Sequence, residues 1–265
     1  MKLSAQYIRD LFFEPARGVN SASGLLRIGE KFFTVADDEN LLITFSLNKT
    51  EPGQSHELIR VELPTDPSER KKVKPDFEAL IKLDANTLLA IPSGSKTQRG
   101  IGVLIQLNSD GELQAKSEID FSEVFAFLRQ SCESLNIEGA VVTQDRLLLF
   151  NRGNTPVAQN FIASFDLGGV VKSITREQRL LKKDFISVTP VKLGFVREFP
   201  IAFTDACLGK DGQIYFLAAC EATANTYDDG AFLGAFLGTL SPDLRVIDMN
   251  ELETPYKPEG LWVDG

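Results

Sequence analysis

Five short phrases in this chain set an acidic or small polar residue before a small one and then open an apolar run. They are Ser23-Gly24-Leu25-Leu26, Glu78-Ala79-Leu80-Ile81, Glu138-Gly139-Ala140-Val141, Asp205-Ala206-Cys207-Leu208 and Glu259-Gly260-Leu261-Trp262. Four of the five lead residues are carboxylates, which bind cations or, where their surroundings differ, divide acid and base roles between them. About 13 to 16 residues after a lead residue comes a second polar group: Asp37-Asp38-Glu39, Ser93-Gly94-Ser95, Asn151-Arg152-Gly153-Asn154 and Glu221. If the fold brings leads and followers together, they form one carboxylate-rich site.

Other chemistries have little material. A single histidine, His56, and three cysteines, Cys132, Cys207 and Cys220, none in a C-x-x-C arrangement, leave a Ser-His-Asp triad or a histidine-rich zinc site without its parts. Ser93-Gly94-Ser95-Lys96-Thr97 ends like a phosphate loop, but it lacks the spaced first glycine and runs into strand-like residues. Asp228-Asp229-Gly230 has part of a calcium loop and not its remaining ligands. We read the first as a hairpin loop and the second as a rim turn beside Tyr227.

The elements that position the phrases are short strands. The lead residues lie roughly 55, 60, 67 and 54 residues apart, a period that belongs to propellers or solenoid arrays. Within each repeat, runs of four to eight β-branched and aromatic residues, such as Phe32-Phe33-Thr34-Val35 and Arg146-Leu147-Leu148-Leu149-Phe150, alternate with turn residues such as Asp84-Ala85-Asn86 and Lys210-Asp211-Gly212. Nineteen phenylalanines against four tyrosines and one tryptophan suit sheets stacked face to face, where rings without polar handles fill the space between blades. One segment departs: Phe121, Val124, Phe125, Leu128, Cys132 and Leu135 share one face at helical spacing, with Ser122 or Asp120 as N-cap. The pattern predicts an all-β, five-bladed propeller with a short helical insertion, one domain over residues 1–265. It also predicts that Tyr7 to Phe13 pairs with the blade opened by Glu259.

In a propeller the first strand of each blade lines the channel, and the second returns to the same mouth. Glu78, Glu138, Asp205 and Glu259 should therefore share an opening with Asp37, Asp38, Ser93, Asn151, Arg152 and Glu221. Two carboxylates about 6 Å apart repel by roughly 3 kcal/mol at an effective dielectric near 20. A cation, a raised pKa, or Arg152 and Arg99 reaching in must offset that repulsion. An oxygen-only donor set favours Ca²⁺ or Mg²⁺. Alternatively, the acids cap blade edges by accepting backbone N–H bonds.

The phrases Ile137-Glu138-Gly139 and Pro258-Glu259-Gly260-Leu261, with Ala36-Asp37-Asp38, resemble an uncharacterised bacterial family of phytase-like, esterase-like β-propellers. More distantly, the Glu-Gly openings resemble gluconolactonase and senescence-marker propellers, which hold a divalent metal in the channel. That resemblance implies Glu138, Asn151, Asp205 and Glu259 as metal ligands, although Ser23 stands where a glutamate is expected.

The expected function is divalent-metal-dependent hydrolysis of an ester, lactone or phosphoester, with Glu78 or Glu138 as base and Asp37, Asp38, Ser93, Arg152 and Glu221 contacting the ligand. The competing reading is a non-catalytic propeller that binds a small molecule or a protein. A net charge of -9 argues against nucleic acid and anionic membrane as partners. Met1 to Asp10 is broken by charge and no run approaches a membrane span, so a cytoplasmic location is expected.

Overall fold

The computed structural model describes residues 2–14, 17–19, 21–46, 51–155, 158–223 and 230–264, so Tyr227, Asp228 and Asp229 lie outside the described residues. The chain is a β-propeller built around four antiparallel blades. Blade 1 runs outward through Ala22–Ile28, Lys31–Ala36, Leu41–Ser46 and Gln54–Glu57. Blade 2 comprises Phe77–Lys82, Thr87–Pro92, Ile101–Leu107 and Leu113–Asp120, and blade 3 Ile137–Val142, Arg146–Asn151, Phe161–Asp166 and Phe185–Pro190. Blade 4 comprises Phe199–Leu208, Ile214–Ala222, Ala231–Leu240 and Val246–Glu253; the short Phe195–Val196 flanks its inner strand.

The recurring small residue has a steric cause, because the inner strands of neighbouring blades touch backbone to backbone. A Cβ on Gly24, whose φ is +67°, would stand 2.7 Å from the amide nitrogen of Leu80, and one on Gly139 would stand 2.9 Å from that of Ala206. Gly24 and Gly139 thus fit against the next phrase around the ring. Apolar side chains fill the space farther out. Leu26, Phe33 and Val35 meet Phe77, Leu88 and Val103 between blades 1 and 2. Between blades 3 and 4, Phe203 lies edge-on to Phe150 and Phe216 at centroid distances of 5.2 and 5.3 Å.

The fifth position holds an extended segment instead of a full blade. Thr204 donates its hydroxyl to the carbonyl of Pro258 at 2.7 Å, the Leu261 amide donates to Asp205 Oδ2 at 2.7 Å, and the Gly24 amide donates to the carbonyl of Glu259 at 3.1 Å. Residues 258–262 therefore bridge blade 4 to blade 1. Pro255 and Pro258 remove donors a ladder needs, which disfavours strand pairing here.

The N-terminal pairing also differs from expectation. Lys2–Ser4 runs parallel to Val246–Glu253 at the outer edge of blade 4. Phe12–Glu14 pairs with Arg17–Gly18, and the Phe12 carbonyl accepts from the Gly53 amide beside blade 1. Phe13 packs on Ile43 and Phe45, which draws this segment to the outside of blade 1 and away from Glu259.

The expected helix occupies Ser122–Leu128, with Val124, Phe125 and Leu128 buried and Asp120 Oδ1 accepting the Ser122 amide at 2.8 Å. Two further helices, Pro67–Val73 and Leu167–Glu177, begin at Asp66 and Asp166, whose carboxylates cap their first turns. Among the described residues no helix is long and apolar enough to cross a membrane.

Candidate functional site

Every inner strand of the four blades carries a β-bulge at its opening phrase. The ladder to the second strand skips Gly24, Glu78, Glu138 and Thr204. A bulge leaves one residue unpaired and re-aims its side chain. In blades 2 and 3 that residue is the glutamate itself, and both glutamates line a cavity of about 340 Å³ at the mouth, with Ser21, Ser23, Asp37, Arg152, Glu221, Lys257 and Glu259. In blade 4 the bulge falls one residue early, on Thr204, and Asp205 stays in the ladder opposite Leu217.

Asp205 does not line this cavity and is bonded to backbone instead. Its Oδ1 accepts the Ala206 amide at 2.7 Å and its Oδ2 the Leu261 amide at 2.7 Å. Burial pushes its carboxyl well above the usual range, against the pull of those two amides. Asn151 is likewise committed to backbone: its Oδ1 accepts the Asn136 amide at 2.7 Å and its Nδ2 donates to the Gln159 carbonyl at 3.0 Å. The implied set of Glu138, Asn151, Asp205 and Glu259 does not converge, because two of its members are used to close the ring and fix a loop.

The mouth is internally paired. Arg152, 8% exposed, donates to Glu138 Oε1 at 3.0 Å and to Glu221 Oε2. Burial lowers the Arg152 guanidinium's affinity for its proton, but Glu138 and Glu221 outweigh that and hold it above its ordinary value. Lys257 Nζ lies 2.6 Å from Glu259 Oε1 and 3.7 Å from Glu221 Oε2. Burial raises the Glu259 carboxyl and Lys257 pulls it back.

A second cavity of about 270 Å³ shares Asp37, Glu78, Glu138 and Arg152 and continues to Lys74, Asp76 and Arg99. Lys74 Nζ stands 2.6 Å from Asp37, 3.0 Å from Asp38 and 3.0 Å from Asp76. Arg99 reaches Asp76 Oδ2 at 2.7 Å, and the Ser93 hydroxyl donates to the same oxygen. Burial raises Asp37 to about 6 despite Lys74.

Glu78 is the least compensated of these groups. It is 9% exposed, and its one hydrogen-bond partner among the described residues is the Ser23 hydroxyl, which donates to Oε2 at 3.0 Å. Burial, and then the charges of Glu138, Asp76, Asp37 and Glu259, push its carboxyl well above the ordinary glutamate range. Asp37, Asp76 and Glu78 each offer an oxygen within 4.8 Å of the others.

The structure thus gathers Asp37, Glu78, Glu138, Arg152, Glu221 and Glu259 at one cavity, with Asp38 at its edge and Ser93 behind Asp76. Sequence reasoning missed Lys74, Asp76 and Lys257. Their signal was present as Lys-Pro at 74–75 and again at 257–258, each shortly before an opening glutamate. A larger cavity of about 510 Å³ lies among turn residues such as Gln144, Gly212 and Pro242, away from this cluster. The other end of the channel is apolar, walled by Leu25, Leu80, Val141 and Trp262.

Fold and site define a β-propeller with a buried, mixed-charge mouth. The chain belongs to the family described as a family of unknown function (DUF6929), which matches residues 18–265. No curated protein matches it. Among solved structures it is similar to a glutaminyl cyclase of Myxococcus xanthus, with 12% identity, a TM-score of 0.52, and coverage of 95% of this chain and 78% of that one. A luciferin-regenerating enzyme follows, with 10% identity, a TM-score of 0.43 and coverage of 92% and 66%. The propeller domain of Cps50 (Swd1) from Myceliophteria thermophila has 10% identity, a TM-score of 0.39 and coverage of 92% and 78%. At these identities the likeness is one of fold.

Proposed function

We propose that the mouth is a small-molecule site that hydrolyses an ester, lactone or phosphoester by acid–base chemistry between Glu78 and Glu138. The observation that carries this reading is Glu78: a carboxyl buried on a cavity wall, held by one hydroxyl and pushed well above its ordinary range. Such a group holds its proton to higher pH than an ordinary glutamate and can give it to a leaving alkoxide. Glu138 differs, being paired to Arg152 and Asn136 through Oε1 while Oε2 has no partner among the described residues. That free oxygen takes the proton of the attacking water. Lys257, with ammonium protons beyond its contact to Glu259, faces the charge that develops on the carbonyl oxygen.

Ca²⁺ or Mg²⁺ among Asp37, Asp76 and Glu78 is a second reading, supported by the spacing of their oxygens. It must compete with Lys74, whose ammonium already contacts Asp37 and Asp76. The repulsion that called for a metal is met here largely by Lys74, Arg99, Arg152 and Lys257.

The test is turnover of a panel of esters, lactones, phosphoesters and glutaminyl peptides by the wild type and by Glu78→Gln, with melting temperature recorded in parallel. The amide keeps the shape and the Ser23 contact but cannot cycle a proton, so the rate should fall by about 10²-fold or more with the fold intact. A wild type inactive on the whole panel, or a fully active Glu78→Gln, overturns the reading. A rise in melting temperature with millimolar Ca²⁺ or Mg²⁺, reversed by chelator, would favour the second reading.

A further inference from the structure

The inner cavity has more negative groups than its own cations can match. Five carboxyl side chains, Asp37, Glu78, Glu138, Glu221 and Glu259, line it against two cationic ones, Arg152 and Lys257, and Lys74 reaches Asp37 from outside. The cations are also committed. Arg152 is spent on Glu138 and Glu221, and Lys257 contacts Glu259 and Glu221. What Lys257 has left faces the reacting oxygen, so no cation of this cavity remains to hold an anionic group elsewhere on the ligand.

The unmatched acceptors are specific ones. Glu78, nine-tenths buried, has one oxygen on Ser23 and the other without a partner among the described residues; Glu138, 4% exposed, likewise has Oε2 without one. Both oxygens belong to side chains on the cavity wall, which holds no apolar side chain. An uncharged apolar ligand would strand these acceptors without bonds, and a carboxylate or phosphate would add repulsion. A primary ammonium brings three donors and the missing positive charge in a volume that fits about 340 Å³.

We propose that the substrate of this site carries a primary ammonium group, which sits between Glu78, Glu138 and Glu259, so that an amino ester or amino lactone is taken in preference to its neutral or phosphorylated counterpart. The inference rests on the reading of the mouth as a small-molecule site and narrows it, with the phosphoester removed from the candidate substrates. Glu78 keeps its own proton and accepts from the ammonium through its carbonyl oxygen. The bound cation supplies counter-charge to Glu138 and Glu259, which have only two cations to share in this cavity, and the negative cavity draws cations inward before contact.

Calorimetric titration of the full chain with n-butylamine, 1-butanol and butyrate reads the cation preference without any turnover. The amine should bind at least about tenfold more tightly than the alcohol, butyrate should not bind, and the gap should narrow in high salt. Glu259→Gln and Glu138→Gln, each verified as folded, should both weaken the amine and leave the alcohol unchanged. Equal binding of amine and alcohol, a preference for butyrate, or amine binding untouched in both variants overturns the proposal. Turnover of ethyl 4-aminobutyrate and ethyl butyrate then separates the two claims. Amine binding without hydrolysis of either ester upholds the cation site and removes the hydrolase. Equal hydrolysis of both upholds the hydrolase and removes the cation site.

Discussion

Arg152→Met should be among the most damaging single changes at the mouth, and its cost follows from what it leaves behind. Arg152 is buried between Glu138, 3.0 Å away, and Glu221, and it joins the inner strand of blade 3 to the second strand of blade 4. Removing one partner of a buried pair costs about 3–5 kcal/mol, most of it from the charge left unpaired. Here the survivors keep something. Glu138 retains the Asn136 amide at 2.5 Å and Glu221 retains Lys257 at 3.7 Å, so a loss near the lower end, about 3 kcal/mol, is expected. Urea unfolding measures it, with methionine chosen to keep the length of the side chain. The double variant Arg152→Met/Glu138→Gln removes one orphaned charge and should be more stable than the sum of the two single changes by about 1 kcal/mol or more. A loss under about 0.5 kcal/mol, or strict additivity, would refute the view that this guanidinium neutralises the mouth.

Asp37 supplies a pH signature. Burial raises its carboxyl to about 6, above an unfolded value of about 3.9, so the folded state binds this proton more tightly than the unfolded chain. Its contribution to stability is therefore fully present below about pH 4 and lost as the pH rises through about 6, at most about 3 kcal/mol in all. Asp37→Asn should lack that decline, and urea midpoints of the two proteins across this window check it; parallel profiles would show that Lys74 compensates fully. Gly139→Ala tests the backbone contact between blades 3 and 4. Its Cβ would lie 2.9 Å from the Ala206 amide nitrogen, which cannot step aside as a flexible side chain does, so a loss of about 1–3 kcal/mol is expected and an unchanged melting temperature would refute it.

The propeller was legible because its signal is repeated. The phrases that open the inner strands recur, and the small residue in each answers a contact made again at the next blade, as Gly24 against Leu80 and Gly139 against Ala206 show. The fifth position was legible only as a phrase. Glu259-Gly260-Leu261 matches the others, yet Pro255 and Pro258 disfavour a ladder and the segment is held by Asp205 and Gly24. The site was legible as a set of residue types and less so as directions. Glu78 and Glu138 line the cavity with the bulge on them, while in blade 4 the bulge falls on Thr204 and Asp205 stays out of it; a one-residue shift of a bulge leaves no mark in composition or period. Lys74 was hidden for a different reason, since it precedes the strand and acts across the blade boundary on Asp37.

The distribution of pairings around the mouth argues for where chemistry belongs. Blade 1 is tied to blade 2 by Ser23 on Glu78 and by Lys74 on Asp37. Blade 3 is tied to blade 4 by Arg152 on Glu221, and the closing segment to blade 4 by Thr204 on Pro258 and Lys257 on Glu221. Among the described residues no side-chain hydrogen bond links Glu78 of blade 2 to Glu138 of blade 3, and the charge of Glu138 is the largest electrostatic cause, after burial, of the raised Glu78 carboxyl. A mouth selected for stability alone would place a cation or an apolar residue at this junction as it places Arg152 at the next. With its neighbours paired, the charge of Glu138 holds the proton on Glu78 and is itself left for a bound cationic ligand to match. The junction of blades 2 and 3 is therefore where proton transfer should be lost when either carboxyl is made an amide, and where binding of a cation should weaken when Glu138 is.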